Sequence, residues 1–350
     1  MSHTDAAAPP DRPERDGKTA ALRPAQNRAV ARRLLAVAVA STLVVGCGGH
    51  ERNGESAATV KAPPSPGVVG PGRLVGIGGG RSLFVECVGS GSPAVVLEAG
   101  LGANARSWQD VQAQLGRTTR TCAYDRAGVG TSVARPGVHG AGEDVDDLSR
   151  MLDGARIDPP YVLVGQSYGG LLVRLFAHAH PERTAGLVLV DAKGRDQTRR
   201  ELAAWPESQA PALRRSWARP IEDGVDLAAG DALGRRVTSL GDAPLAVVTA
   251  GTHAADSTGM PGRLARALYR LWMTMQDELA ALSTDHVHVV ALRSDHWIQI
   301  RRFTRGSTEI DGQPDVVVRA VRAVVRAARN RAHLPPCRRL FAGAGVRCRS

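Results

Sequence analysis

A serine stands between two glycines in Gly165-Gln166-Ser167-Tyr168-Gly169, and the residues on either side decide what it can do. The apolar stretch Val162-Leu163-Val164 precedes it, and the helical pattern Leu171-Leu172-Val173-Arg174-Leu175 follows. A strand that turns at once into a helix forces the central serine into a strained turn. Small neighbours let the backbone pass while the hydroxyl projects beyond the sheet edge. Ser167 is therefore the candidate nucleophile. The pattern alone arises by chance in a chain with 39 glycines, so the flanking strand and helix carry the reading. A hydroxyl attacks only when a base takes its proton, and imidazole has the ordinary pKa suited to that at neutral pH. The candidate base is His296, in Ser294-Asp295-His296-Trp297 between the last expected strand and the final helix. His178 and His180 flank a helix end, His253 follows a strand, and His286 and His288 bracket one, so caps, surface or core packing are expected of these.

The elements that must position these groups are legible as alternation. Short β-rich runs at Leu74 to Ile77, Leu83 to Cys87, Ala94 to Glu98, Thr121 to Tyr124, Tyr161 to Gly165, Leu187 to Asp191, Leu245 to Ala250 and Val287 to Ala291 predict eight strands. The first pair reads as a hairpin across Gly78-Gly79-Gly80. Helical patterns near Trp108 to Leu115, Asp144 to Leu152, Leu171 to Ala179 and Val316 to Ala327 separate later strands. The expectation is an α/β fold with a mostly parallel, eight-stranded sheet and helices on both faces. Residues 193 to 241 break this rhythm with charge, Trp205, Trp217 and three prolines, and their periodicity is helical. An insertion after a strand's carboxyl end sits over the edge where such sheets bind ligands, so this segment is read as a lid.

The front of the chain reads differently. Arg32-Arg33 precede an apolar run from Leu34 to Val45 that stops at Gly46-Cys47, which is too short for a membrane-spanning helix and fits an export signal. Val44-Val45-Gly46-Cys47 resembles the bacterial lipobox, so Cys47 is expected to be acylated as the first residue of the mature protein. The long polar stretch ahead of Arg32 departs from that pattern. Residues 1–47 are thus a leader with a lipoprotein-type signal, 48–71 a flexible tether, 72–335 the folded domain and 336–350 a basic C-terminal tail. The expected location is outside the cell, anchored by lipid on the outer face of the bacterial membrane, or secreted.

The formal charge of +11 includes seven basic against four acidic residues in the first 33. Arginines also crowd the end of the chain, where a solvated helix face is expected of them. No basic patch interleaved with aromatics accompanies this charge, so no nucleic-acid partner is expected. With Cys47 assigned to lipid, an even set of four cysteines remains in a chain that leaves the reducing cytoplasm, which predicts disulfides. None of the spacings is Cys-x-x-Cys and no histidine stands at zinc-ligand distance from a pair, so no metal site and no cofactor are expected.

Three further motifs agree in order with the serine and the histidine. They are Val95-Val96-Leu97-Glu98-Ala99-Gly100-Leu101-Gly102 followed by Trp108, then Tyr124-Asp125-Arg126-Ala127-Gly128-Val129-Gly130-Thr131-Ser132, and the late Ser294-Asp295-His296-Trp297. From about Arg73 to Arg326 the chain resembles the α/β-hydrolase family, and within it the secreted members with Glu-Ala-Gly or Glu-Ser-Gly where many relatives have His-Gly. The resemblance implies a lid over a serine hydrolase site that acts through an acyl-enzyme on an ester or thioester of a small molecule or lipid. Amide cleavage and cofactor-free peroxidation occur on the same fold, and a non-catalytic surface lipoprotein using it as a binding module is the alternative from another class.

The resemblance also implies roles. The oxyanion would be held by the backbone N–H of Tyr168, next after the nucleophile, and of Leu101 in the loop after the third strand. Ala99 replaces a frequent histidine there and leaves the backbone donor intact. The acid that orients His296 has two candidate positions. Asp191 ends the strand beside the nucleophile strand, and Asp256 follows the strand after the lid; we take Asp191, with Asp256 as the alternative. In the family's sheet order the strands carrying Cys87 and Cys122 are neighbours, which implies a Cys87–Cys122 bridge and leaves Cys337–Cys348 to close the tail. The Asp125-Arg126 loop is expected to be structural. The insertion between Gln299 and Gln313, with Arg301, Arg302 and Arg305, is read as a mobile solvated loop rather than an anion-selecting one. Asp295, where glycine is common, stands beside the base.

Overall fold

The computed structural model describes residues 72–207, 211, 224–252, 261–305 and 308–349. Cys47 with the leader and tether, and Asp256, lie outside the described residues. The eight expected strands are β1 (Arg73–Gly78), β2 (Arg81–Val88), β3 (Ala94–Glu98), β4 (Thr121–Tyr124), β6 (Tyr161–Gln166), β7 (Thr184–Val190), β9 (Leu245–Ala250) and β10 (His286–Ala291). Two short strands, β5 (His139–Gly140) and β8 (Val225–Asp226), pair with each other. The sheet order is β1-β2-β4-β3-β6-β7-β9-β10, with a ninth strand at the far edge. All pairs from β4 across to β10 are parallel, while β1 with β2 and β2 with β4 are antiparallel.

The burial pattern follows from position in this order. β3, β6 and β9 are buried at every residue, as strands covered on both faces must be, and their sequences are continuous apolar runs. β1, at an edge, alternates buried and exposed residues. The β1–β2 turn at Gly78, Gly79 and Gly80 has φ of 86°, 60° and 72°, a region that only glycine enters without strain. One core layer packs α2 (Ala141–Gly154) and α3 (Tyr168–Ala179) on the sheet through Leu148, Met151, Leu152 and Phe176. The opposite layer packs α1 (Gln109–Leu115) and α7 (Pro314–Asn330) through Trp108, Val111, Leu115, Val317, Val321 and Val324. This is the doubly wound architecture expected, with helices on both faces.

The ninth strand, β13 (Val346–Arg349), corrects the expected count of eight. The basic tail does not trail from the domain: it turns through α8 (Cys337–Leu340) and pairs antiparallel with β10. Its run Val-Arg-Cys-Arg has too few apolar residues to signal a strand. What holds it is tertiary, namely the Cys337–Cys348 disulfide and a two-pronged pair from Arg349 to Asp277 at 2.7 and 2.6 Å. The Cys87–Cys122 disulfide joins residues directly opposite in β2 and β4. The insertion after the base also differs from the mobile loop expected. It forms a hairpin of β11 (Arg302–Arg305) and β12 (Thr308–Asp311), with Arg301 paired to Asp315 at 3.4 Å and Arg302 to Asp311 at 3.0 Å.

Candidate active site

The nucleophile turn follows from steric necessity. Ser167 joins the buried β6 to α3 with φ 54° and ψ −119°, a conformation that costs a non-glycine residue about 1–3 kcal/mol and is kept only where the surroundings enforce it. A Cβ on Gly165 would stand 2.4 Å from the Gly169 carbonyl, and one on Gly169 would stand 2.4 Å from that of Glu98. The glycines therefore permit the tight turn and its contact with the loop after β3.

β6 and β7 are parallel neighbours, so their carboxyl ends lie together, and β9 and β10 end at the same edge. That juxtaposition places Asp191, just past β7 with φ 42°, beside the loop after β10. Asp191 Oδ2 lies 2.7 Å from Nδ1 of His296. Its other oxygen accepts the indole N–H of Trp272 at 2.9 Å and the backbone N–H of Ala250 at 3.0 Å. A carboxylate held at three points fixes one ring nitrogen of His296 as the donor and leaves the other as the acceptor. Gln166, preceding the nucleophile, donates to the His296 carbonyl at 3.1 Å and ties the base loop to the nucleophile strand. Asp295 accepts the Trp297 N–H at 3.0 Å, a local turn cap.

The loop after β3 is held by a buried ion pair. Arg126 binds Glu98 at 2.8 Å and donates to the carbonyls of Ala99 at 2.5 Å and Gly100 at 2.6 Å, the two residues ahead of Leu101. Its guanidinium also lies 5.5 Å from the Tyr168 ring centre. One side chain thus touches both walls of the candidate oxyanion hole. Glu98 further accepts the Tyr124 hydroxyl, and burial pushes its carboxyl up to about 7 against the pull of Arg126. The Tyr168 hydroxyl donates to Asp144 at 2.8 Å, and Asp144 also holds His139 at 3.1 Å. A Cβ on Gly100 would stand 2.2 Å from the Gln166 side-chain oxygen, so a larger residue there would displace that side chain. Tyr168 is the first residue of α3, so its N–H is among those that a helix start leaves without an internal acceptor.

Ser167, His296, Leu101 and Tyr168 line one small cavity of about 20 Å³, room for about one water. The other lining residues are Lys193, Gln197, Leu227 and Trp272. Gln197 opens α4 (Gln197–Ala204) and Leu227 opens α5 (Leu227–Gly234), so the segment read as a lid reaches the site. A larger cavity of about 650 Å³ lies at the opposite ends of β7 and β9 and is lined by none of these residues.

Two contributors escaped the sequence reading. Trp272 belongs to α6 (Gly262–Ala280), which was not expected, although Ala265, Leu268, Trp272, Met275 and Leu279 recur at helical spacing and are buried. Arg126 was read as structural, which its contacts bear out, but its hold on the Leu101 loop had no signal in the sequence.

The architecture agrees with that of known proteins. The alpha/beta hydrolase fold family matches residues 93–254. The chain has the α/β-hydrolase fold. A thermophilic esterase from Thermogutta terrifontis superposes with a TM-score of 0.50 at 20% identity, covering 74% of this chain and 99% of that chain, which shows the shared fold. YqjL of Bacillus subtilis is 26% identical over 208 residues, 59% of this chain and 78% of that protein. The pimeloyl-[acyl-carrier protein] methyl ester esterase of Chromobacterium violaceum is 34% identical over 150 residues, 41% of this chain and 53% of that protein. Against several other curated relatives the chain aligns over less than half of their length.

Proposed function

We propose that this protein is an exported serine hydrolase that cleaves a carboxylic ester or thioester of a small molecule or lipid through an acyl-enzyme. The observation that carries the reading is the 2.7 Å contact between His296 Nδ1 and Asp191, on a histidine that lines one cavity with Ser167. In the first step Ser167 Oγ attacks the carbonyl carbon while His296 Nε2 takes its proton. Asp191 holds the opposite ring nitrogen and stabilises the imidazolium that results. The carbonyl oxygen, now negative, is received by the N–H groups of Tyr168 and Leu101. Collapse expels the leaving group, which takes the proton from His296; water then attacks the acyl-Ser167 by the same route and releases the acid.

The ester class is supported by the named relatives, which include a methyl ester esterase. Export is supported by the leader and by two disulfides, which persist in oxidising compartments. Anchoring through an acylated Cys47 belongs to the same proposal. Labelling by a fluorophosphonate probe tests the chemistry: the wild type should react covalently and Ser167→Ala should not. A folded wild type that never labels would overturn the reading in favour of a binding module. Release of Cys47→Ser from the membrane fraction tests the anchor.

A further inference from the structure

Beyond residue 61 the chain uses arginine for every cation except one, and the exception lines the catalytic cavity. Lys193 stands two residues past Asp191. Its backbone N–H donates to the Ser167 carbonyl at 2.8 Å, and its carbonyl accepts from the buried Arg174 at 2.7 Å. The residue is therefore clamped against the nucleophile turn from both sides. Its side chain is only 7% exposed and pairs with Asp231 at 2.9 Å and the Thr198 hydroxyl at 3.2 Å. Beside it, the Gln197 carbonyl oxygen accepts the Gly194 N–H at 2.9 Å, and its amide donates to the buried Glu201 at 2.9 Å.

An ammonium carries three N–H groups and a carboxamide two. Two are taken on Lys193 and one on Gln197, so each has one donor left without an acceptor among the described residues. Both residues line the cavity that holds Ser167 and His296, and the rest of its wall includes Leu101, Leu227 and Trp272. A purely alkyl group entering there would satisfy the apolar wall and strip water from two donors, which is costly for buried polar groups. A substrate oxygen at that depth would satisfy both. Its charge is decided by what stands behind: Asp231 on Lys193 and Glu201 on Gln197. A substrate carboxylate would face these two carboxyl groups, whereas an uncharged oxygen takes the donors without that repulsion. Lysine suits the task, because its three donors rotate as a compact head and can be shared between a fixed partner and a ligand, unlike the rigid guanidinium fork.

We propose that Lys193 and Gln197 form a polar subsite that selects esters bearing an uncharged ether, keto or hydroxyl oxygen in the group that enters the cavity. The proposal rests on the serine hydrolase reading above. The test is an oxygen scan: kcat/KM for p-nitrophenyl esters of equal chain length, carrying an ether oxygen at successive positions or none, with one ω-carboxylate ester. One ether position should exceed the alkyl ester by at least about tenfold, the scale of a hydrogen bond from a charged donor. Lys193→Met should bring that ratio to about one, since the donor is lost. Asp231→Asn removes the fixed partner but keeps the ammonium and should retain the preference. A flat ratio across all positions in the wild type would overturn the subsite. Equal loss of preference in Lys193→Met and Asp231→Asn, the mark of a mere tether, or a preference for the carboxylate ester, would also overturn it. Absence of Ser167-dependent hydrolysis of every ester would sink the hydrolase reading and the subsite with it; Ser167-dependent turnover with a flat ratio sinks the subsite alone.

Discussion

Arg126 offers a way to separate the stability of the fold from the geometry of the site. Arg126→Met removes the cation from a pair in which both side chains are almost fully buried, and leaves Glu98 without its charged partner. Breaking one side of such a pair costs about 3–5 kcal/mol, because the remaining charge is stranded in a low-dielectric interior. The carboxyl of Glu98 is already pushed up to about 7 with Arg126 present, so without it the group stays protonated over a wider range. The deficit should accordingly be larger at pH 8 than at pH 5. Glu98→Leu combined with Arg126→Met removes both charges, and stability should return to within about 1–2 kcal/mol of the wild type, as apolar replacement of buried pairs often does. Activity should not return. Arg126 also donates to the carbonyls of Ala99 and Gly100, and the double variant leaves the Leu101 loop without those anchors. A displacement of order 1 Å in an oxyanion donor lowers turnover about 100-fold, and the loss should fall on kcat with KM little changed. Denaturant unfolding at the two pH values, with steady-state kinetics on a short p-nitrophenyl ester, measures both quantities. A double variant that regains stability and also full kcat would refute the claim that Arg126 positions the oxyanion loop.

Trp272→Phe keeps the apolar wall but removes the N–H that Asp191 accepts at 2.9 Å; kcat should fall about tenfold, the scale of a hydrogen bond to a charged group, and an unchanged kcat would exclude the indole from the acid's support. Glu201 is pushed up to about 7 by burial, so between roughly pH 4.5 and 7 the folded state holds a proton that the unfolded chain releases. Its contribution therefore worsens as pH rises through that window. Glu201→Gln should gain up to about 3 kcal/mol over the wild type at pH 8 and little at pH 4.5, read as the difference in unfolding free energy. Replacing Cys87 and Cys122 by alanine opens a link with a sequence separation of 35 and should cost about 4 kcal/mol on loop entropy; a loss below about 1 kcal/mol would show that the unfolded chain gains little freedom.

The parts legible in the sequence were those governed by local rules. Period-two and continuous apolar runs gave the eight strands from Leu74 to Ala291, because burial on both faces leaves no choice of residue type. Gly165 and Gly169 around Ser167 announced a turn that only small neighbours allow, and the geometry has the φ of 54° that such a turn demands. Gln197 and Leu227, which belong to the insertion after β7, line the cavity.

What the sequence left open were pairings between residues far apart. Asp191 and Asp256 both follow strands at the same edge, and local pattern carries no information on which carboxylate meets an imidazole 105 residues from Asp191. The ninth strand was hidden for the same reason: Val346 to Arg349 is strand because Asp277 and Cys337 hold it there, not because its own residues prefer it. Trp272 on Asp191, Arg126 under the Leu101 loop and Lys193 beside the nucleophile are likewise contacts between elements. The sequence by itself determined which elements form and which hydroxyl is strained into view, since those follow from neighbours along the chain. Only the tertiary structure decided which polar groups share the cavity, because that depends on the order of strands in the sheet and the edge at which they end.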